Sequence, residues 1–128
     1  MDLVVETTTK KDIVDITDKI RNFAEQSTSG IIVLNVLHTT AALTTADLDP
    51  DTDQDLLDFL DGITADVQWR HPHDPAHAPA HLLSSVIGPS LTVPIRGGQL
   101  QLGTWQRIIL VELDGPRQRR LGVSVFGG

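Results

Sequence analysis

The sequence predicts an α+β fold: a single domain over residues 1–128 with a mostly antiparallel, curled or sandwich-like sheet and two to three helices. Short segments rich in apolar and β-branched residues outnumber the segments with helical spacing, and turn residues separate them. The 128 residues suit one domain, 40% of them are hydrophobic, and no repeat or low-complexity linker divides the chain. We therefore expect one domain with one core.

The N-terminal quarter is predicted to form two strands and a helix. Apolar and β-branched residues indicate strands at residues 3–9 and 12–16. Thr17 is a suitable N-cap, and apolar residues then recur at helical spacing. This pattern predicts a helix that ends at about residue 26.

The middle of the chain is predicted to contain a central strand and a second helix. Residues 31–37 form a nearly continuous apolar run, which predicts a strand covered on both faces. Asp49 then caps a helix whose first residue is Pro50. That helix is expected to end at Asp61, because Gly62 follows.

The C-terminal half is predicted to return to strands after an irregular segment and one short helix. Asp114-Gly115 is a typical two-residue hairpin sequence, and Gly97-Gly98 predicts another turn. The expected elements are a helix at 79–87 and strands at 91–95, 99–113 and 119–126.

Composition excludes several classes of function. The chain has no cysteine, which excludes disulfides, iron–sulfur clusters and thiolate chemistry. Its formal net charge of −7 makes it a poor binder of phosphate backbones, so no nucleic-acid partner is expected. No apolar run approaches the roughly 20 residues that span a bilayer, and no signal peptide is recognised. We expect a cytoplasmic protein without a membrane partner.

Histidines are the strongest indication of a functional site. All five lie in one part of the sequence: His38, His71, His73, His77 and His81. A catalytic zinc ion usually has three protein ligands and one open position, which His38, one of the 71–73 histidines and His81 can supply. In the alternative interpretation, His38 ends a strand and the others are solvated. His77 is expected to be a bystander.

Other polar residues are candidates for binding a ligand, each with a structural alternative. Hydroxyls near a helix N-terminus can hold a phosphate or carboxylate, an arginine can grip phosphate bidentately, and a glutamine buried in a strand needs a partner. The alternatives are solvated serines, strand-end threonines that bond the backbone, a core tryptophan and a solvated arginine. These candidates are Thr39, Thr40, Thr44, Ser84, Ser85, Trp105, Gln106, Arg117 and Arg119.

Several motifs in order resemble one known family over essentially the whole chain. They are His38-Thr39-Thr40-Ala41-Ala42-Leu43-Thr44, Asp49-Pro50-Asp51, Pro79-Ala80-His81-Leu82-Leu83-Ser84-Ser85, Gly88-Pro89-Ser90-Leu91-Thr92-Val93-Pro94, Leu102-Gly103-Thr104-Trp105-Gln106 and Arg119-Arg120. With these motifs the chain resembles the YjbQ-like proteins, which are often labelled secondary thiamine-phosphate synthases. The family usually has asparagine and glutamate where this chain has Ala46 and Asp47.

The resemblance implies an α+β fold, a homotrimer, and a polar cleft that binds a small anionic metabolite. It implies catalytic roles for His38, His71, His81 and Gln106, with the three histidines as ligands of a divalent metal such as zinc or magnesium. For an enzyme with this cleft, we expect Thr39, Ser84, Ser85, Trp105 and Arg119 to bind the substrate. His71 matches the middle family histidine better than His73 does.

Two functions from different classes are therefore expected of this sequence. The first is an enzyme of the thiamine-phosphate synthase-like type that acts on a phosphorylated or anionic substrate. The second is a non-catalytic trimeric protein that binds a metabolite or metal, which the loss of the usual asparagine at Ala46 favours. Turnover of a bound substrate distinguishes them.

Overall fold

The chain forms a sandwich of two sheets, with two of its three helices on the outer face of one sheet. A computed structural model describes residues 1–65, 68–70 and 75–127. The helices are α1 (Thr17–Ala24), α2 (Thr52–Thr64) and α3 (Ala78–Ile87), with a 3₁₀ turn at Pro75–His77. The strands are β1 (Asp2–Glu6), β2 (Asp12–Asp15), β3 (Ser29–Val36), β4 (Ala41–Ala46), β5 (Ser90–Arg96), β6 (Gln99–Leu100), β7 (Arg107–Glu112) and β8 (Gln118–Gly127). The predicted α+β class is confirmed.

Both sheets are antiparallel. The larger sheet has the order β1-β8-β3-β5-β6, and the smaller one has the order β2-β7-β4. No helix of the described residues is long and apolar enough to cross a membrane.

The main core lies between the two sheets. Alternate residues of β3 face inward, namely Ile32, Leu34 and Val36. They belong to one buried cluster with residues of the smaller sheet and of α1, which include Leu43, Ile108, Leu110, Ile20 and Ala24. The sheets therefore close over one apolar layer, as in other sandwiches.

A second core lies between the smaller sheet and the helices. Ile109 and Val111 of β7 belong to this cluster with Leu60 of α2 and Leu83 of α3. The two faces of β7 thus enter different cores, and every residue from Ile108 to Glu112 is buried. The prediction that residues 31–37 are covered on both faces is wrong, because α2 and α3 pack on the smaller sheet and leave Ile31 39% exposed.

The predicted strand at 99–113 and the predicted hairpin at Asp114-Gly115 are wrong. The chain leaves the larger sheet after β6 and joins the smaller one at β7, so residues 101–106 form a turn between sheets. It then crosses back, and β7 and β8 belong to different sheets. The turn at Gly97-Gly98 is confirmed, since both glycines have a positive φ and join β5 to β6.

The helices differ from their predicted bounds at their ends. Helix α2 begins at Thr52 rather than Pro50, since Asp51 has a φ of 70° and the Thr52 N–H donates to the Asp49 carbonyl at 2.9 Å. It also continues past Gly62 to Thr64.

Thr17 does not cap α1. Its hydroxyl donates to Asp15 at 2.6 Å and accepts from the Ile108 N–H at 2.8 Å, so it connects α1 to β7. Helix α1 ends at Ala24 rather than near residue 26. Strand β4 was not among the predicted strands.

Candidate functional site

One polar cavity collects several of the predicted residues. It has a volume of about 830 Å³ and lies where the segments after β3, after β7 and around the start of α3 meet. Its lining includes His38, Thr39, Thr40, His77, His81, Asp114, Arg117, Gln118 and Arg119. The cavity is open to solvent, so a small molecule can enter it.

A backbone N–H of β8 holds the His38 side chain in this cavity. Strand β3 ends at Val36, and the Leu37 N–H then donates to the Arg120 carbonyl at 3.0 Å. The Arg120 N–H donates to Nε2 of His38 at 2.9 Å. Burial lowers the pKa of His38 below its ordinary value, and the positive charge of Arg119 lowers it further. Both effects favour the neutral form of the imidazole.

Beneath the cavity lies a buried ion pair between Arg119 and Glu112. Nε of Arg119 donates to both carboxylate oxygens at 2.9 and 3.0 Å, and Nη2 donates to the hydroxyl of Thr40 at 2.8 Å. The Thr7 hydroxyl and the backbone N–H of Asp114 donate to the same carboxylate. Burial raises the pKa of Glu112, but these donors and the Arg119 charge outweigh it and hold the pKa below its ordinary value.

The two arginines of the cavity therefore differ in what they offer a ligand. Arg119 is only 1% exposed, so the alternative that it is a solvated arginine is wrong, and its described donors bond Glu112 and Thr40. Substrate binding by Arg119 stays a prediction. Arg117 is exposed and pairs with Asp114, with Nη2 at 3.2 Å from the carboxylate. An anion in the cavity meets the accessible guanidinium of Arg117 first.

Helix α3 brings His81 and both serines beside His38. A second hollow of about 330 Å³ is lined by His38, Thr39, His81, Ser84, Ser85 and Pro89. The Ser84 hydroxyl is buried and donates to the Ala41 carbonyl at 2.7 Å, while Ser85 donates to the His81 carbonyl at 3.0 Å. Both hydroxyl protons are thus engaged by backbone oxygens, and their remaining lone pairs can accept.

Trp105 and Gln106 do not line these hollows. Trp105 is 70% exposed, and it borders a separate hollow of about 180 Å³ with Asp47, Asp49 and Arg107. The prediction that Gln106 is buried is wrong, because it lies in the turn before β7 and not within a strand. Its amide instead donates to the Thr45 hydroxyl at 3.0 Å. The expectation of a core tryptophan is also wrong.

Around Trp105 the charged groups neutralise one another in part. Arg107 donates to Asp15 at 2.7 Å and also pairs with Asp18. Burial raises the pKa of Asp15, but hydrogen bonds from Thr17 and Arg107 hold it below its ordinary value. The guanidinium of Arg107 is thus engaged by two carboxylates of its own chain. Its hydrogen bond to Asp15 is the main cause of its raised pKa.

Of the three remaining histidines, one lines the large cavity and two lie outside the described residues. His77 lines the large cavity, and its expected role as a bystander stays a prediction. The signal for this was its spacing, since His77 and His81 are four residues apart at the start of α3 and share a helix face. His71 and His73 fall in the gap at 71–74, which the structure does not describe.

Only part of the implied metal site lies among the described residues. Within residues 1–65, 68–70 and 75–127, no three histidine, aspartate or glutamate side chains are grouped as metal ligands. His38 also uses the lone pair of Nε2 to accept from Arg120. Of the three implied ligands, His71 lies outside the described residues, so the metal site stays a prediction; Nε2 of His38 can bind a metal only by giving up the bond from Arg120.

Comparisons with known proteins cover the whole chain. A family model described as "UPF0047 protein YjbQ-like" matches residues 1–128. A UPF0047 protein of Archaeoglobus fulgidus is 36% identical over 127 residues, covering 98% of this chain and 100% of that protein. UPF0047 protein YugU of Bacillus subtilis is 35% identical over 131 residues, covering 98% of this chain and 97% of that protein.

Solved structures of similar proteins have the same fold. A YbjQ-like protein of unknown function from Sulfolobus solfataricus P2 has a TM-score of 0.93 at 35% identity, covering 100% of this chain and 96% of that one. An uncharacterised conserved protein from Clostridium acetobutylicum has a TM-score of 0.89 at 32% identity, covering 98% of this chain and 99% of that one. None of these names specifies an activity or a substrate.

Proposed function

Because this chain belongs to the family of UPF0047 protein YjbQ-like proteins, we propose that it binds a small anionic metabolite in the cavity lined by His38 and His81 and acts on it as an enzyme. The observation that carries this proposal is the shared lining of one open cavity by three histidines and the accessible guanidinium of Arg117. Histidine exchanges protons near neutral pH, and arginine binds phosphate or carboxylate oxygens in a bidentate manner.

The finer form of this proposal is a thiamine-phosphate synthase-like transferase. Such an enzyme joins a pyrimidine diphosphate to a thiazole phosphate and releases pyrophosphate. Positive charge near the departing pyrophosphate lowers the barrier, and Arg117 is the cavity residue that can supply it. In this proposal Thr39 and the serines of α3, which line the neighbouring hollow, orient the substrate.

Binding of pyrophosphate tests the site itself. We expect Arg117→Gln to weaken binding about tenfold or more, since a hydrogen bond to a charged group contributes about 1.5–3 kcal/mol. The matched control is Arg21→Gln, because Arg21 also pairs with an aspartate three residues away but lies on α1 outside the cavity. Calorimetric titration measures both. Equal affinity in wild type and Arg117→Gln contradicts the proposal.

Turnover separates the enzyme from the second candidate, a non-catalytic binding protein. Ala46 favours that candidate, because the family usually has an asparagine at this position. A binding protein retains pyrophosphate or a substrate but converts neither. Incubation with the pyrimidine diphosphate and the thiazole phosphate, followed by assay of released pyrophosphate, decides between them.

The metal that the resemblance implies, zinc or magnesium, has its own test. Elemental analysis of the purified protein is compared with that of His38→Ala and His81→Ala. A stoichiometric metal that both variants lose supports ligation by these histidines. Equal metal content in all three samples contradicts that assignment and leaves the anion-binding proposal intact.

A homotrimer in the cytoplasm completes the proposal. Its support is an apolar patch on the outer face of the larger sheet, where Ile31 lies opposite Phe126 of β8 and Pro94 of β5. Phe126 is 58% exposed and Ile31 is 39% exposed. Burying such a patch between copies removes apolar surface from water.

A further inference from the structure

The series of backbone hydrogen bonds between β3 and β8 ends with a bond whose acceptor is a side chain instead of a backbone carbonyl. Its last registered pair is Val36 with Leu121. At the next position the Leu37 N–H donates to the Arg120 carbonyl, as in a hydrogen-bonded antiparallel pair. The return bond of such a pair runs from the Arg120 N–H to the Leu37 carbonyl. Here the Arg120 N–H donates instead to Nε2 of His38 at 2.9 Å.

This bond determines which nitrogen of His38 carries a proton. A neutral imidazole has one N–H and one nitrogen with a free lone pair, whereas an imidazolium has two N–H groups. Because Nε2 accepts a hydrogen bond, it carries the lone pair, and the proton is on Nδ1. Among the described residues, no group accepts from Nδ1, and the ring lines both hollows of the site.

We infer that the backbone of Arg120 fixes His38 as its Nδ1–H tautomer, and that His38 contacts the ligand as a neutral hydrogen-bond donor to a phosphate or carboxylate oxygen. The second half of this inference rests on the proposed function, which places an anion in the cavity. The first half depends only on the bond between Arg120 and His38.

Metal ligation by His38 is incompatible with this arrangement at either nitrogen. A metal on Nε2 displaces the Arg120 N–H and leaves that donor without its partner. A metal on Nδ1 moves the proton to Nε2, where it faces the Arg120 N–H, so two donors oppose each other. Binding of a metal by His38 therefore conflicts with the hydrogen bond that Nε2 accepts from Arg120.

The neighbouring contacts keep the ring in place. On one side, Leu37 is bonded to Arg120 through its backbone. On the other, Nη2 of Arg119 donates to the carbonyl and hydroxyl of Thr40 at 3.1 and 2.8 Å. The segment that carries His38 is thus held at both ends by consecutive residues of β8. Arg119 acts as a positioning residue for His38.

The tautomer can be measured without any ligand. Long-range proton–nitrogen correlation spectra of the ¹⁵N-histidine-labelled protein at neutral pH show which ring nitrogen is protonated, and His38→Gln identifies the His38 signals by their loss. We expect a protonated Nδ1 and an unprotonated Nε2. A protonated Nε2, in either the other tautomer or the cation, overturns the inference.

Two variants then locate the atom that contacts the anion. The side-chain amide of asparagine occupies the place of Nδ1, and that of glutamine occupies the place of Nε2. We expect His38→Asn to keep pyrophosphate affinity within about threefold, and His38→Gln to lose about tenfold or more, since only the former keeps a donor at the Nδ1 position.

The outcomes separate this inference from the proposed function. The reverse order of affinities overturns the assignment of Nδ1 as the donor. Absence of pyrophosphate binding by the wild type contradicts the proposed function and the inference that His38 donates to the ligand. The tautomer measurement does not depend on that result. Circular dichroism of both variants establishes that they fold.

Discussion

Arg119 and Arg120 are neighbours in β8, yet their guanidinium groups meet opposite environments. Successive side chains of a strand point to opposite faces, so Arg119 enters the space between the sheets and Arg120 points outward. Between the sheets, Arg119 pairs with the fully buried Glu112. On the outer face, Arg120 pairs with Asp2, and both of these side chains are about half exposed. Breaking the two pairs should therefore have very different consequences.

We predict that Glu112→Gln lowers the free energy of unfolding by about 3–5 kcal/mol, because it leaves the Arg119 charge buried without its partner. The matched control is Asp2→Asn, which breaks the exposed pair and should cost less than about 1 kcal/mol. Urea unfolding of both variants measures the difference. Similar losses in the two variants would show that burial does not set the energy of these pairs.

At the scale of the elements, the crossing from β7 to β8 depends on close packing at Gly115. A Cβ atom at this position would lie 2.6 Å from the Thr9 carbonyl oxygen and 2.8 Å from Cγ of Glu112. Gly115 also donates its N–H to the Lys10 carbonyl at 2.9 Å. The turn therefore has no room for a side chain.

We predict that Gly115→Ala destabilises the protein by about 1–3 kcal/mol, since the backbone must shift to relieve the overlap. Gly62 provides the matched control, because it lies inside α2 and a Cβ there meets no atom within 4 Å. Gly62→Ala should stabilise by about 0.5–1 kcal/mol through helix propensity. Thermal unfolding of the two variants checks the signs, and a stable Gly115→Ala refutes the packing argument.

The elements also show how far local sequence determines this fold. Hydrophobic patterns located α1 and β3, and the boundary residues Pro79 and Gly88-Pro89 located α3, because these signals depend on neighbouring residues. The Asp114-Gly115 hairpin was wrong because a local turn signal does not reveal which sheet each flanking strand joins. The candidate site shows the same limit: the sequence predicts His38, Thr39, His81, the serines and Arg117, whereas the separation of Trp105 from them depends on long-range topology.

At the scale of the whole molecule, acid should destabilise the fold. The pKa of Glu112 lies below 4.5 and that of Asp15 below 3.8 in the folded chain, so the unfolded chain binds more protons at low pH. Their stabilisation is present above these ordinary values and is lost as pH falls through the lowered ones. We predict that the free energy of unfolding falls between about pH 5 and pH 3, with a smaller fall in Asp15→Asn. Urea unfolding across this range measures it, and an unchanged value contradicts it.

The proposed homotrimer predicts a mass three times that of the 13.9 kDa chain. Phe126→Glu should shift the population to monomer, because it places a charge in the apolar patch that Ile31 and Phe126 form on the larger sheet. Light scattering after size-exclusion chromatography measures the mass. Val86→Glu is the control, since Val86 is 83% exposed on α3, away from that sheet. A wild-type monomer refutes the trimer.

Strand β7 is bonded on both edges and covered on both faces, so we expect its amide hydrogens to exchange very slowly with deuterium. They exchange when the whole domain opens, so any molecule that binds only the folded chain slows them by a factor of one plus its concentration over its Kd. Deuterium uptake by this single strand therefore reports occupancy regardless of the chemistry of the ligand. Mass spectrometry of the β7 peptide can screen metabolite mixtures for the natural ligand before any reaction is known.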